Sequence, residues 1–219
     1  MLIVGGGLTS AHLARGALKR GAKVLLLNRR QFQEKIFDAE PGWLGPKYLK
    51  GFEAEPDWEK RWQMIQQARD GGSFTPEALT QLRKFSRDGR VVLYEHCEIV
   101  SAAWQETHWR VQCNNLAVHD CFEHQPIDRI WLATGTQMDI TSHPILGEGL
   151  AQHPTEIVGG LPVLDEHLRW PGWILFLMVP FSALQARPVS RNLFGAKMAC
   201  DRIVPALTKA SIGAGKSKD

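Results

Sequence analysis

The first thirty residues constrain this chain more than any other stretch. Leu2-Ile3-Val4 is a short apolar strand that feeds straight into Gly5-Gly6-Gly7-Leu8-Thr9-Ser10. A helical run follows, with Leu8, Ala11, Leu13, Ala14, Ala17 and Leu18 available to a buried face. After Gly21, Val24-Leu25-Leu26-Leu27 makes a second apolar strand that closes at Asn28. A glycine turn set between a strand and a helix, with a second strand behind it, is the context in which a G-x-G-x-x-G pattern acquires a physical meaning.

Each position of the turn has a reason. Gly5 permits the tight exit from the strand, and Gly7 lets a pyrophosphate approach the backbone with no Cβ in the way. Ser10 stands where a third glycine is usual; it is still small enough for close helix–strand packing, and its hydroxyl offers one phosphate hydrogen bond. The N–H groups of the first helical turn, around Gly6, Gly7, Leu8 and Thr9, carry partial positive charge and suit an anion. The second strand ends in Asn28-Arg29-Arg30. NAD and FAD sites usually place an acid about twenty residues after the glycines to bond a ribose 2′-hydroxyl. Here the acid is missing and two arginines follow. Guanidinium groups make charge-assisted, often bidentate bonds to phosphate, so the strand end favours the 2′-phosphate of NADP(H).

Residues 31–88 interrupt the βαβ rhythm as a helical insertion. Pro41-Gly42-Trp43-Leu44-Gly45-Pro46 reads as a turn-rich loop. Asp57 to Arg69 has helical spacing, with Trp58, Trp62, Ile65 and Met64 on one side, best read as core. Gly71-Gly72 would end that helix. Ser73 or Thr75 would cap the next, which has Pro76 in its first turn and runs to about Phe85. Val91-Val92-Leu93-Tyr94 reads as a buried parallel strand. Glu98 to Trp104 and His108 to Cys113 read as antiparallel strands about a Gln105-Glu106-Thr107 hairpin, with residues 114–125 as a third meander strand. Ile127 to Gly135 is a return strand ending in Ala133-Thr134-Gly135. Beyond it, a loop-rich passage leads to Trp173–Val179, read as a buried strand, and to a helix over Ser190–Leu207. The Gly-, Ser- and Lys-rich tail from Lys209 reads as disordered.

Composition narrows the function classes. A net charge of +3 with acids interleaved argues for neither nucleic acid nor a membrane surface. The Trp173–Val179 run falls short of the roughly 20 apolar residues a spanning helix requires. The four cysteines (Cys97, Cys113, Cys121, Cys200) form no C-x-x-C pattern and read as reduced thiols of a cytoplasmic protein. His119, Cys121 and His124 alternate on a surface hairpin with no fourth ligand at a standard spacing, so no metal site is expected.

These residues resemble a known family. The glycine turn with Ser10, the basic strand end, the meander, and Asp128-x-x-x-Leu132-Ala133-Thr134-Gly135 look like the NADP(H) domain of a flavoprotein with two dinucleotide-binding domains. Similar proteins are the flavin-dependent N-hydroxylating monooxygenases of lysine and ornithine. Thr136 stands where that family has Tyr. Ala183-Leu184-Gln185, Pro188, Arg191-Asn192-Leu193 and Gly195-Ala196 resemble the family's returning C-terminal segment, which closes the FAD site, with Val179 and Arg187 at positions where glycine is usual. The resemblance implies an α/β fold: a Rossmann-like parallel sheet with a β-meander and a helical insertion, plus a partial C-terminal segment of a flavin domain. It implies a domain over 1–139, the flavin-type segment over 140–207 and a disordered tail over 208–219.

The same resemblance implies hydride transfer from NADPH to FAD, with Gly5, Gly6, Gly7, Leu8, Thr9 and Ser10 at the pyrophosphate and Asn28, Arg29 and Arg30 at the 2′-phosphate. Thr134 and Gly135 would pass near the cofactor at the domain junction. No side chain stands out as an acid or base. The family's separate N-terminal FAD unit has no counterpart in this sequence, which suggests a truncated reading frame, a misassigned start, or a flavin domain or homo-oligomer partner that supplies the missing half. Two alternatives stay open: a non-catalytic NADP(H)-binding module, and FAD bound at the first glycine motif. The missing acid counts against the second.

Overall fold

The computed structural model describes residues 1–36, 40–43, 45–68, 71–114, 126–188 and 193–213. The chain divides into two compact units, Met1–Asp38 with Gly71–Thr136, and Ala39–Asp70 with Gln137–Asp219.

The first unit is built on a four-stranded parallel sheet. Strands β1 (Leu2–Val4), β2 (Val24–Leu27), β3 (Val91–Tyr94) and β6 (Ile130–Leu132) lie in the order β3-β2-β1-β6. Leu2, Ile3 and Val4 stand opposite Leu25, Leu26 and Leu27 on one side and Ile130, Trp131 and Leu132 on the other. Successive side chains of a strand point to opposite faces, so an unbroken apolar run suits a strand covered on both. The two central strands meet that condition. Ile3, Val24, Leu26 and Val91 pack with Ala11, Ala14, Ala17 and Leu18 of helix α1 (Leu8–Lys19) and with Leu79 and Leu82 of a later helix. Leu2, Leu25 and Leu27 face the other way, onto Cys97, Val111, Cys113 and Ile127. Burying a leucine stabilises by about 1.5–3 kcal/mol, so four buried positions in succession hold β2 in the middle of the sheet. The third strand is parallel as expected. It is an edge strand, however, and Val92 is part exposed.

The second face is covered by a hairpin of β4 (Ile99–Gln105) and β5 (His108–Cys113), antiparallel, with Trp104 opposite Trp109. Ile127 bridges Trp109 antiparallel just before β6. The third meander strand expected over 114–125, with His119, Cys121 and His124, lies outside the described residues apart from Asn114. No group of three or more potential metal ligands occurs among the described residues.

In the second unit a short 3-10 turn (Pro41–Trp43) leads to α2 (Pro46–Ala54) and α3 (Trp58–Ala68). Trp58, Trp62 and Met64 pack with Phe52, Ile65, Val158, Leu161 and Leu184. A two-stranded hairpin, β7 (Ile157–Val158) and β8 (Leu161–Pro162), turns at Gly159-Gly160, where the Trp62 indole leaves no room for a Cβ on Gly159. A short helix, α5 (Gly147–Gln152), precedes it. A second cluster joins Ile140, Leu164, Leu168 and Trp170 to Ala199 and Ile203 of the final helix, α6 (Leu193–Gly213).

Two expectations fail here. Trp173–Val179 is not a buried strand. Pro171-Gly172 reverses the chain, Trp170 N–H donates to Leu175 O and Leu177 N–H to Leu168 O, and a single bridge joins Arg169 to Phe176. Leu175, Phe176 and Leu177 are half-buried against Trp170, while Ile174 is 83% exposed. The final helix also continues past Leu207 to Gly213, so the tail expected from Lys209 begins as helix; residues 214–219 lie outside the described residues.

Candidate nucleotide-binding site

The glycine turn sits where β1 ends and α1 begins. Gly5 has φ +140°, a conformation that a residue with a Cβ rarely adopts, and an added Cβ would overlap the carbonyl of Ala133 at the end of β6. Gly5 N–H donates to Leu27 O, which ties the turn to the end of β2. At Gly6 a Cβ would overlap the Asn28 amide. Two glycines are therefore required by the protein's own packing at the strand ends.

Gly7 is the N-cap of α1, in extended backbone and with no side chain capping the helix. Ser10 N–H and Ala11 N–H both donate to Gly7 O, and no acid occupies the first turn. The Leu8 and Thr9 N–H groups have no intrahelical acceptor, and both residues are exposed. An uncapped helix start with exposed N–H groups accommodates an anion. Ser10 is fully buried, and its hydroxyl donates to Gly7 O at 2.6 Å. It packs and closes the turn, and its proton is engaged within the helix start.

Asn28 closes a second turn. Its Nδ2 donates to Arg30 O at 2.8 Å, its backbone N–H to Tyr94 O, and its carbonyl accepts from Cys97 N–H. The short amide holds residues 28–31 in a compact bend beside Gly6. Arg29 and Arg30 are exposed at the tip of that bend. Thr134 and Gly135 are exposed just beyond β6; Gly135 has φ +88° and open space where a Cβ would stand. The structure thus brings Gly5, Gly6, Gly7, Asn28 and the Ala133-Thr134-Gly135 segment to the carboxyl ends of adjacent parallel strands, where open α/β sheets bind ligands.

One participant escaped the sequence reading. Gly71-Gly72, expected only as a helix stop, lies against the glycine turn: a Cβ on Gly72 would stand 3.1 Å from Gly7 Cα and 3.2 Å from Gly7 N. On the other side a Cβ on Gly71, whose φ is +76°, would stand 3.1 Å from an Arg30 guanidinium nitrogen. Phe74 fixes this crossing, donating its N–H to Gln33 O and accepting from Lys35 N–H, both at 2.9 Å. The paired glycines were the available signal, since two consecutive residues without Cβ suit a close backbone approach.

Comparison with solved structures gives the fold its place. The ornithine hydroxylase of Pseudomonas aeruginosa superposes with a TM-score of 0.71 at 14% identity, over 95% of this chain and 52% of that one. This chain shares its fold with about half of that hydroxylase. The ornithine N-hydroxylase of Kutzneria sp. 744, solved with reduced FAD, NADP+ and L-ornithine, gives 0.70 at 15% identity over 96% and 54%. L-lysine 6-monooxygenase of Pseudomonas syringae gives 0.67 at 18% over 95% and 53%. The chain spans about half the length of these enzymes. No protein-family model and no curated protein matches the sequence. Among the described residues no helix is long and apolar enough to cross a membrane.

Proposed function

We propose that this chain is the NADP(H)-binding portion of an FAD/NAD(P)-dependent oxidoreductase. The observation that carries the reading is the uncapped start of α1 beside a β2 end that bends through Asn28 into two exposed arginines, with no acid in the position a ribose diol would use. The N–H groups of Leu8 and Thr9 would hold the pyrophosphate, Gly7 keeps its approach free of a Cβ, and Arg29 with Arg30 would neutralise the 2′-phosphate. Ser10 acts through packing. The chemistry supplied when both cofactors are bound is transfer of a hydride from nicotinamide to flavin. The residues of this chain bind and orient; none is assigned as acid or base. The buried free thiols Cys97 and Cys113 support a reducing, cytoplasmic setting.

Replacing Arg29 and Arg30 together by alanine tests the reading. NADPH binding should weaken by about 1–3 kcal/mol, the worth of a hydrogen bond between charged groups, with NADH nearly unchanged. Equal losses for both nucleotides, measured by calorimetry, would remove the 2′-phosphate assignment.

A second reading is a module that holds NADP(H) without flavin turnover, which the same uncapped helix start and arginine pair would serve. Purified protein that is colourless yet stabilised by NADPH favours this module. Protein that carries visible flavin absorbance, bleached on adding NADPH, favours the oxidoreductase and a flavin domain or second copy in contact with the nucleotide.

A further inference from the structure

The crossing of Gly71-Gly72 over the glycine turn bears on how a dinucleotide reaches its site. In a G-x-G-x-x-G turn the second glycine lets a pyrophosphate lie against bare backbone. At Gly7 that space is taken. A Cβ on Gly7 would stand 3.6 Å from Gly72 Cα, which is ordinary contact. In the other direction, a Cβ on Gly72 would stand 3.1 Å from Gly7 Cα, 3.2 Å from Gly7 N and 3.3 Å from Gly6 C. Carbon atoms in contact lie about 3.5–4.0 Å apart, so this side of Gly7 has room for one carbon and none for a phosphorus with its oxygens.

The same segment reaches the other half of the site. A Cβ on Gly71 would stand 3.1 Å from an Arg30 guanidinium nitrogen. Gly71-Gly72 thus lies across both groups that the nucleotide reading uses, the bare turn for the pyrophosphate and Arg30 for the 2′-phosphate.

The way the segment is held permits it to lift. Its far end is fixed: Phe74 is fully buried, meets the Phe32 ring edge-on at 5.4 Å, and exchanges backbone hydrogen bonds with Gln33 and Lys35. Gly71 and Gly72 themselves are exposed and make no hydrogen bond to any described residue. Gly71 has φ +76°, and two glycines in succession leave the backbone free to take other conformations. Lifting the pair breaks van der Waals contacts and no hydrogen bond.

We infer that Gly71-Gly72 is a strap across the nucleotide-binding turn, which must lift before a dinucleotide pyrophosphate reaches Gly7. The inference rests on the nucleotide reading of that turn. The apparent Kd is the intrinsic one divided by the fraction of molecules with the strap lifted, so whatever unseats the strap tightens binding. The pyrophosphate is common to NAD and NADP, so the strap weakens both. The arginine pair differs, since it acts on the 2′-phosphate alone.

Calorimetric titration of the full chain, of Gly72→Ala and of Gly71→Ala with NADP+ and with NAD+ tests the strap. In Gly72→Ala the new methyl meets the Gly6 and Gly7 backbone and pushes the strap off. In Gly71→Ala the left-handed backbone is disfavoured, a route that leaves Gly7 untouched. NAD+ is the cleaner ligand for this second variant, because its methyl also meets Arg30. Kd should fall by about threefold or more in each variant and for both nucleotides. Gly71→Ala decides the matter should Gly72→Ala lose its cooperative urea transition. A Kd that is unchanged or higher in the variants, with the parent binding NADP+, would overturn the strap and leave the nucleotide site standing. Binding by the variants with none by the parent would support both. No binding by the parent or either variant would remove the nucleotide reading and the strap with it.

Discussion

At the end of β2 a single side chain separates what the residue type says from what its bonds do. The absence of an acid at position 28 was legible from the sequence, and so was the pair of arginines behind it. The use of the Asn28 amide to fold residues 28–31 onto themselves was not, because it depends on the distance to Arg30 O. Ser10 is a similar case: its size was legible, while the direction of its hydroxyl depends on the cap geometry of α1. The thiols allow a sharper statement. Burial raises the pKa of Cys97 and pushes that of Cys113 up to about 12, with the Cys97 hydrogen bond and charge adding to the effect at Cys113. An unfolded thiol ionises near 8.5. The native state therefore keeps a proton that the unfolded state releases, so the stability contributed is complete below about pH 8.5 and is lost as pH rises towards 12. Urea midpoints should be flat from pH 7 to 8 and should fall from pH 8.5 to 10. In a Cys97→Ala/Cys113→Ala double variant the fall should be shallower. An identical slope would show that other groups control the alkaline limb.

Among the elements, α4 (Pro76–Arg87) was the most legible. Thr75 accepts from Ala78 N–H at 3.3 Å, Pro76 occupies the first turn, and Glu77 follows where a carboxylate favours the helix dipole. Thr75→Ala should cost about 1 kcal/mol in chemical unfolding, and Thr75→Ser should restore most of it. If the alanine variant is as stable as the parent, the cap hydrogen bond is idle and proline alone sets the helix start. The element that misled is Trp173–Val179. Its apolar run satisfies the pattern of a buried strand, yet Pro171-Gly172 folds it back on residues 168–170, which take its hydrogen bonds. Hydrophobic content alone does not say whether a run finds a sheet or a neighbouring turn. Helix α2 was missed for the opposite reason. Pro46-Lys47-Tyr48-Leu49 follows a glycine-rich loop, and only Leu49 and Phe52 are buried, too few to mark a periodic face.

At the scale of the molecule, chain order and spatial order part company. The sequence presents residues 31–88 as an insertion within the nucleotide-binding fold, but only residues 39–70 of it leave that fold, and they cluster with residues 137–219, in a core where Phe52 and Ile65 meet Val158, Leu161 and Leu184. Nothing in the spacing of Trp58, Trp62 and Ile65 says which later residues will meet that face, so periodicity gives the helix and leaves its partner open. The first unit, by contrast, has its own cores on both faces of its sheet. Its two segments also meet where the insertion leaves and returns, since Glu34 bridges Phe74 and residues 33 and 35 exchange hydrogen bonds with Phe74. A short Gly/Ser linker can therefore join residue 36 to residue 71 beside the Glu34–Phe74 bridge. The resulting protein, residues 1–36 and 71–136, should unfold cooperatively in urea with an m-value reduced in proportion to its surface, and NADP+ should raise its Tm as it should that of the full chain. A broad, non-cooperative transition would mean that the first unit needs the second to fold. A cooperative transition with no response to NADP+ would mean that the glycine turn and the two arginines do not make a nucleotide site by themselves.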